Sequence, residues 1–434
     1  MTAFETRQIH EGQTPDSDTG ARALPIYQTT SFVFNDAQIA ADRFALKDLG
    51  PVYSRLANPT VQAVEERIAS LEGGVGAVLT ASGQAAAFLA IINIAGAGDH
   101  VVASPSLYGG TYNLLDVTLR KLGVETTFVE NPDNIDEWKA AVQPNTKAFF
   151  GETLTNPQSS VLNLPELSKA AHDAGVPLIV DNTLATPYLL RPIEHGADVV
   201  LHSATKFLGG HGNSIAGVIV DSGNFDYSAD PDKFPGFNEP DESYNGLVFA
   251  RDLGPDSDFG ANVSYGIKIR VQLLRDLGPS ASPFNAFLIA QGLETLSLRV
   301  ERHVENAQKV ATFLENHDQV THVNYAGLES SPYNALAKQL LPKGTGAVLS
   351  FDIAGGYDAA VKFVEALELH SHVANIGDAR SLVIHPASTT HSQLSEDAQG
   401  KSGVNPALVR LSVGLEGVDD IIADLEKGFA AARG

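Results

Sequence analysis

Lys206 lies in the run Ser203-Ala-Thr-Lys206-Phe207, with two hydroxyl groups just upstream and an apolar ring just downstream. A lysine ammonium titrates near about 10.4 in water; desolvation lowers that value and leaves a neutral amine able to attack a carbonyl or to move protons. The run also satisfies the S-x-x-K pattern of serine acyl-enzymes, in which the serine is the nucleophile. Those enzymes need S-D-N and K-T-G elements as well. The chain offers Val180-Asp-Asn182 and Lys343-Gly-Thr345, and neither fits.

Other reactive residues favour the first chemistry. Asp181 closes the apolar run Leu178-Ile-Val180, Asn156 lies just past a run ending near Phe150, and Ser82-Gly83-Gln84 separates an apolar run from a helical one. Ligands of open α/β sheets bind at the carboxyl ends of the strands, so these positions converge on Lys206. Each suits one part of pyridoxal phosphate (PLP). Backbone N–H groups at a helix start hold a phosphate, Gly83 lets the chain come close, and Ser203 and Thr205 add hydroxyl donors. A carboxylate beside the pyridine nitrogen keeps it protonated and the ring electron-withdrawing, the expected role of Asp181. Asn156 joins this cofactor set, and Lys206 would form the Schiff base. Tyr108, in Ser106-Leu-Tyr-Gly-Gly110, is placed to stack on the ring and relay protons. Arg410, in Val409-Arg-Leu-Ser-Val413, can hold an amino-acid carboxylate through a bidentate pair. Singly these residues are a helix cap, a loop aromatic or a surface charge; jointly they carry the inference.

Metal chemistry finds less support. His195, His202 and His211 are near one another in sequence, but no H-x-x-x-H or H-E-x-x-H pattern joins them, and Gly209-Gly-His-Gly212 reads as a turn. No metal is expected. His385 and His391, bracketing Pro386-Ala-Ser-Thr-Thr390, read as loop or pocket lining.

The elements that must position these groups alternate regularly from residue 61. Helical spacing over Val61 to Leu71 is followed by the strand Gly76-Ala-Val-Leu-Thr80 and a helix from Ala85 to Ile94. Strands at His100 to Ala103, Glu125 to Val129, Lys147 to Phe150, Pro177 to Asp181 and Ala197 to Leu201 interleave with helices at Tyr112 to Leu122 and Leu164 to Ala174. This is the pattern of βα units around a mostly parallel sheet. Residues 222–262 are rich in Gly, Pro and Asp and read as an excursion; Asp221 to Gly260 carries ten acidic residues against Lys233 and Arg251. From Pro283 a long helical span to Asn316, broken near Gly292, precedes strands at Val320 to Tyr325, Ala347 to Asp352, Ser371 to Asn375 and Val409 to Val413, and a last helix from Val418 to Ala432. The expected units are an arm over 1–60, an α/β cofactor domain over 61–265 and a smaller C-terminal α+β domain over 266–434.

Bulk properties exclude several classes. A length of 434 residues exceeds what one core usually serves, and 43% hydrophobic with 19% charged residues is a globular composition. A formal charge of -23 argues against nucleic-acid or anionic-membrane partners. The absence of cysteine rules out disulfides and thiolate ligands, so any sulfur chemistry uses a sulfur brought by the substrate. MTAFETRQIHEG lacks the basic and apolar regions of a signal peptide, and no window offers the roughly 18 consecutive apolar residues of a span. A cytoplasmic location is expected.

Seven ordered motifs make the chain resemble the Cys/Met-metabolism family of fold-type I PLP enzymes over nearly its whole length. They are Tyr53-Ser-Arg-Leu-Ala-Asn-Pro-Thr60, Ser82-Gly-Gln-Ala85, Leu107-Tyr-Gly-Gly-Thr111, Asp181-Asn-Thr183, Ser203-Ala-Thr-Lys-Phe207, His385-Pro-Ala-Ser-Thr-Thr-His391 and Val409-Arg-Leu-Ser-Val-Gly-Leu-Glu416. The resemblance implies that Tyr53 and Arg55 reach the cofactor phosphate of a neighbouring subunit, with Tyr53 also near substrate, in a homotetramer of two active-site-sharing dimers. Asn375 stands where the family's γ-lyases tend to carry Ser, and Gln84 where they carry Met; both are similar to the sulfhydrylase branch. That branch implies γ-replacement of O-acetylhomoserine by sulfide or methanethiol, with Asn375 helping Arg410 on the carboxylate. Cystathionine γ-synthase, O-succinylhomoserine sulfhydrylase and, more distantly, γ-lyase chemistry remain open alternatives.

Overall fold

Strands that are apolar at nearly every position need cover on both faces. The computed structural model, which describes residues 2–390 and 403–433, shows that arrangement. Its first helices are α1 (Phe4–His10), α2 (Ala37–Phe44), α3 (Pro59–Glu72) and α4 (Gly83–Ile92). Strands β1 (Gly76–Thr80), β2 (His100–Ala103), β3 (Glu125–Phe128), β4 (Thr146–Glu152), β5 (Leu178–Asp181), β6 (Val199–His202) and β7 (Gly217–Asp221) form one seven-stranded sheet in the order β1-β7-β6-β5-β4-β2-β3. Phe149, Val180 and Val200 enter a core shared with Val64 and Ile68 of α3. Phe150, Ile179 and Leu201, one position out of step, enter the opposite core with Ala86 and Leu89 of α4.

The sheet is mostly parallel, as expected, but β7 is antiparallel to both neighbours. Sequence periodicity does not single this strand out, because its short apolar run abuts the glycine turn at 209–212. The link from β6, residues 203–216, has no helix to make a crossover, so the chain can only return antiparallel. The helix expected over Tyr112 to Leu122 is an α-turn at Gly109–Asn113 that widens into a π-helical stretch over Leu114–Leu119.

A second sheet contains β8 (Val320–Asn324), β9 (Val348–Ile353), β10 (Ser371–His372), β11 (Leu382–Ile384) and β12 (Leu408–Ser412), in the order β10-β11-β12-β9-β8. The strand expected through Asn375 stops at His372, so Asn375 lies in a loop; β11, three residues long, carries too little pattern to be read from sequence. His391 lies outside the described residues.

The two units meet later in the chain than residue 265. Tyr265, Ile269 and Leu274 pack in the α4 core, and Ile289 and Leu293 pack in the α3 core. Helix Leu296–Glu315 belongs to both units: Leu296 and Val300 lie in the large domain's core, Ala307 and Val310 in the small domain's. The start of the arm is tied to its own chain, since Gln8 donates to the Ser297 hydroxyl at 2.9 Å. Beyond it Ile26, Val33, Phe44 and Tyr53 are exposed. No helix among the described residues is long and apolar enough to cross a membrane.

Asp221 closes β7 and anchors the acidic excursion, accepting the Gly223 N–H at 2.9 Å and the Gly266 N–H at 3.1 Å. Burial raises its carboxyl from 3.8 to about 7. Between those values the folded chain holds a proton the unfolded chain has lost, so this group's stabilisation is complete at low pH and disappears as pH rises through about 7. Relative to Asp221→Asn, the wild type should lose up to about 1.4 kcal/mol per pH unit across that window. Urea midpoints of the two proteins, taken at half-unit pH steps, check this; parallel curves contradict it.

Candidate active site

The alternation that builds the two cores also aims the acids at the end of the sheet. Glu152 is in step with Phe150 and Asp181 with Ile179, so both carboxyls face the α4 side, and the two residues pair across β4 and β5. Asp181 accepts the Thr183 N–H at 2.9 Å. Burial raises its carboxyl, against which the Thr183 hydrogen bonds and the charge of His202 act. Glu152 is pushed well above the carboxylate range, first by burial and then by the charge of Asp181, although it accepts the Tyr108 N–H at 2.6 Å. Two adjacent carboxylates cannot both stay charged here. Burial and the charge of Asp181 push Glu152 well above the carboxylate range, whereas Asp181, held down by the Thr183 hydrogen bonds, is the better placed of the two to carry charge, which is what a protonated pyridine nitrogen requires of its partner.

The opposite face fixes these strand ends. His202 and Asn182, one residue beyond the Leu201–Asp181 pair, both meet Glu72 Oε1 of α3, at 2.5 and 2.9 Å. Thr153 donates to Asn182 at 2.8 Å. His202 is thus a buried partner of Glu72, and His211 bonds the Gly209 carbonyl at 2.7 Å.

Ser82 caps α4, its hydroxyl accepting the Ala85 N–H at 3.1 Å. The N–H groups of Gly83 and Gln84 point out of the helix start with no acceptor among the described residues. A Cβ on Gly83 would lie 2.8 Å from the Ser203 Cβ, and one on Gly217 would lie 2.1 Å from the Ser82 carbonyl oxygen. The loop is pressed against two neighbouring strands and leaves a cradle of N–H groups beside the Ser203 hydroxyl, which fits a phosphate. Thr205 is differently engaged: its hydroxyl donates to the Ala216 carbonyl and accepts the Ala216 N–H, both at 3.1 Å. The Gln84 side chain accepts from Thr111 at 3.1 Å, leaving its backbone N–H for the cradle.

Lys206 donates to Asn375 Oδ1 at 2.5 Å. Burial, then the charge of Arg410, lowers its pKa, favouring the neutral amine. Arg410, on β12, is 8% exposed and donates to the Asn375 carbonyl at 3.0 Å and to Asn156 Oδ1 at 3.4 Å. Its Nε has no partner among the described residues, and burial lowers the guanidinium to about 10. A buried cation with an unmet donor fits a substrate carboxylate. Tyr108, N-terminal to its short helix, keeps an exposed ring close enough to Arg410 to interact with it.

Ser82, Gly83, Gln84, Asn156, Asp181, Ser203, Lys206, Asn375, Arg410 and Tyr108 thus share one region where the two domains meet. Tyr53 and Arg55 are held elsewhere in their own chain: Arg55 donates to the Arg275 carbonyl at 2.7 Å and stacks over Tyr53 at 5.2 Å. Glu152 escaped the sequence reading. Its signal was present, an acid closing an apolar parallel strand just as Asp181 closes the next.

The Cys/Met metabolism PLP-dependent enzyme family matches residues 5–430. The chain is 58% identical over 431 residues to the O-acetyl-L-homoserine sulfhydrylase of Corynebacterium glutamicum, covering 99% of this chain and 97% of that protein. It is 53% identical over 427 residues to the O-acetyl-L-homoserine sulfhydrylase of Leptospira meyeri, covering 98% of this chain and 96% of that one. The crystal structure of an O-acetylhomoserine (thiol)-lyase from Campylobacter jejuni, which contains a pyridoxyl-lysine phosphate, superposes with a TM-score of 0.94. It is 40% identical and covers 99% of this chain and all of that chain.

If the glycine cradle holds the phosphate, Gly83→Ala should weaken PLP binding to apoprotein roughly tenfold or more, about the worth of one charge-assisted hydrogen bond. Absorbance titration with PLP measures this, and unchanged affinity refutes the cradle.

Proposed function

Because the chain belongs to the Cys/Met metabolism PLP-dependent enzyme family, we propose that it catalyses γ-replacement on O-acetyl-L-homoserine. Sulfide displaces acetate from Cγ to give homocysteine, and methanethiol in its place gives methionine. The observation that carries this reading is the convergence of Lys206, Asn375 and Arg410 on one buried point.

PLP, when bound, supplies an aldehyde for the substrate amine and an electron-withdrawing ring conjugated to Cα. The Gly83 and Gln84 N–H groups and the Ser203 hydroxyl would hold its phosphate. Asp181 would keep the pyridine nitrogen protonated, and Glu152, pushed well above the carboxylate range by burial, would favour a single charge beside it. Arg410 binds the substrate carboxylate with its free Nε and terminal nitrogens, and Asn156 and Asn375 hold that guanidinium in place. Orientation then puts Cα within range of Lys206, whose desolvated amine is suited to take the Cα proton and afterwards a Cβ proton. Tyr108, over the same opening, is positioned to stack on the cofactor ring. The chain contains no cysteine, so the sulfur nucleophile comes from the second substrate.

The arm supports an assembly in which sites are shared. Tyr53 and Arg55 do not reach their own Lys206 region, while the arm exposes Ile26, Val33 and Phe44. We place Tyr53 and Arg55 at the phosphate of a neighbouring subunit, Tyr53 also facing substrate, within a homotetramer of two such dimers.

The assay is purified protein with O-acetyl- or O-succinylhomoserine, each offered sulfide or cysteine. Acetyl ester with sulfide should be preferred, and a preference for succinyl ester with cysteine would make the enzyme a cystathionine γ-synthase. Lys206→Ala should lose both the visible cofactor absorbance and activity. Mixing Arg55→Ala with Lys206→Ala subunits should restore activity that neither has alone, since one site of each mixed dimer is then intact; no restoration refutes site sharing.

A further inference from the structure

Arg299 carries a charge that the chemistry above does not use. It is 6% exposed, and burial alone lowers it to about 10, with no acidic group opposing. All its hydrogen bonds go to neutral oxygens: the carbonyls of Phe207 at 2.8 Å, Leu208 at 3.3 Å and Gly292 at 2.7 Å, and the Thr295 hydroxyl at 3.3 Å. Burying a guanidinium without a counter-charge is costly; two of these bonds go to Gly292 and Thr295, just before its own helix, and the other two reach across to one backbone segment.

That segment is the turn carrying Lys206. The Gly209 N–H bonds the Ala204 carbonyl at 2.9 Å and the Gly210 N–H bonds the Lys206 carbonyl at 2.7 Å, making one helical turn that ends at Gly210 with φ +75. The last carbonyls of such a turn lack partners and attract a cation. Arg299 supplies it for Phe207 and Leu208. The fit has no slack: a Cβ would lie 2.1 Å from Arg299 Nη1 at Gly210, 2.3 Å from the Gly209 carbonyl oxygen at Gly292, and 2.7 Å from the Phe207 nitrogen at Gly377. Beyond Lys206, the Phe207 ring enters the small domain's core edge-on to His303, at 5.3 Å. Arg299 and His303 both sit on helix Leu296–Glu315, which spans the two cores.

We propose that Arg299 is a positioning residue, fixing the turn that bears Lys206 to the helix joining the two domains and so setting the amine against Asn375 and Arg410. This rests on Lys206 being the cofactor lysine, and the two ideas can fail separately. In apoprotein, hydrogen exchange of a peptide over 203–210 should quicken about tenfold in Arg299→Gln and less in Arg299→Lys, with 303–315 unchanged. In the PLP-loaded enzyme, kcat should fall about 10- to 100-fold in Arg299→Gln while KM for O-acetylhomoserine changes less than about threefold. Gly210→Ala, which crowds Nη1 from the other side, should reproduce both effects and decides the matter if Arg299→Gln does not fold. Arg302→Gln, one turn along and 55% exposed, should change neither. Unchanged exchange at 203–210, a uniform rise across all peptides, or a retained kcat overturns the proposal. Retention of the visible band and activity in Lys206→Ala would instead overturn the reading of Lys206, whatever the exchange shows.

Discussion

Withdrawal of one amine from water is the constraint on which the rest of the structure depends. Lys206 can be neutral near pH 7 only if it is desolvated or lies near other positive charge, and here it has both, with burial the larger cause and Arg410 the smaller. Both conditions are met here where the two domains come together. The lysine therefore sits at the joint, on a turn whose start follows β6 of the large sheet and whose next residue, Phe207, packs in the core of the small one. The same burial that frees the amine leaves Arg410 Nε without a partner, so the site is made ready for an anion by the folding that creates it.

The sheet fixes which groups can share that site. Period-two alternation sends Phe150, Ile179 and Leu201 toward α4, and by the same parity sends Glu152 and Asp181 there. Residues one step out of phase, Asn182 and His202, go to the other face and are held by Glu72. A one-residue slip of β5 would exchange a carboxylate for an amide beside Glu152. The buried Glu72–His202–Asn182 cluster opposes such a slip by tying β5 and β6 to the end of α3.

What could be read from sequence was local. The apolar runs marking β2, β4, β5 and β6, the capping serine at Ser82 and the acid at Asp181 each announce themselves within a few residues, and so does Lys206. The antiparallel β7 did not, because direction depends on whether a crossover helix intervenes and not on the strand's own residues. The domain boundary was obscured for a related reason: helix Leu296–Glu315 keeps one periodicity throughout while its two halves face different cores. Glu152 was missed because an acid at a strand end is ordinary until its cross-strand partner is another acid. Tyr53 and Arg55 could be assigned only through the family resemblance, since within one chain they contact each other and Arg275.

The chain's charge of -23 bears on binding only weakly, although the substrate's carboxylate and a cofactor's phosphate are anionic groups. Exposed charges further than about 8 Å away are largely screened at physiological ionic strength. Groups inside the joint act in a poorer dielectric and are screened less. There the balance is reversed, with Arg410 and the outward N–H groups of Gly83 and Gln84 set against Asp181, while burial disfavours a second charge on Glu152. Anion binding is therefore decided by the few buried groups at the strand ends, and the acidic surface is free to serve solubility.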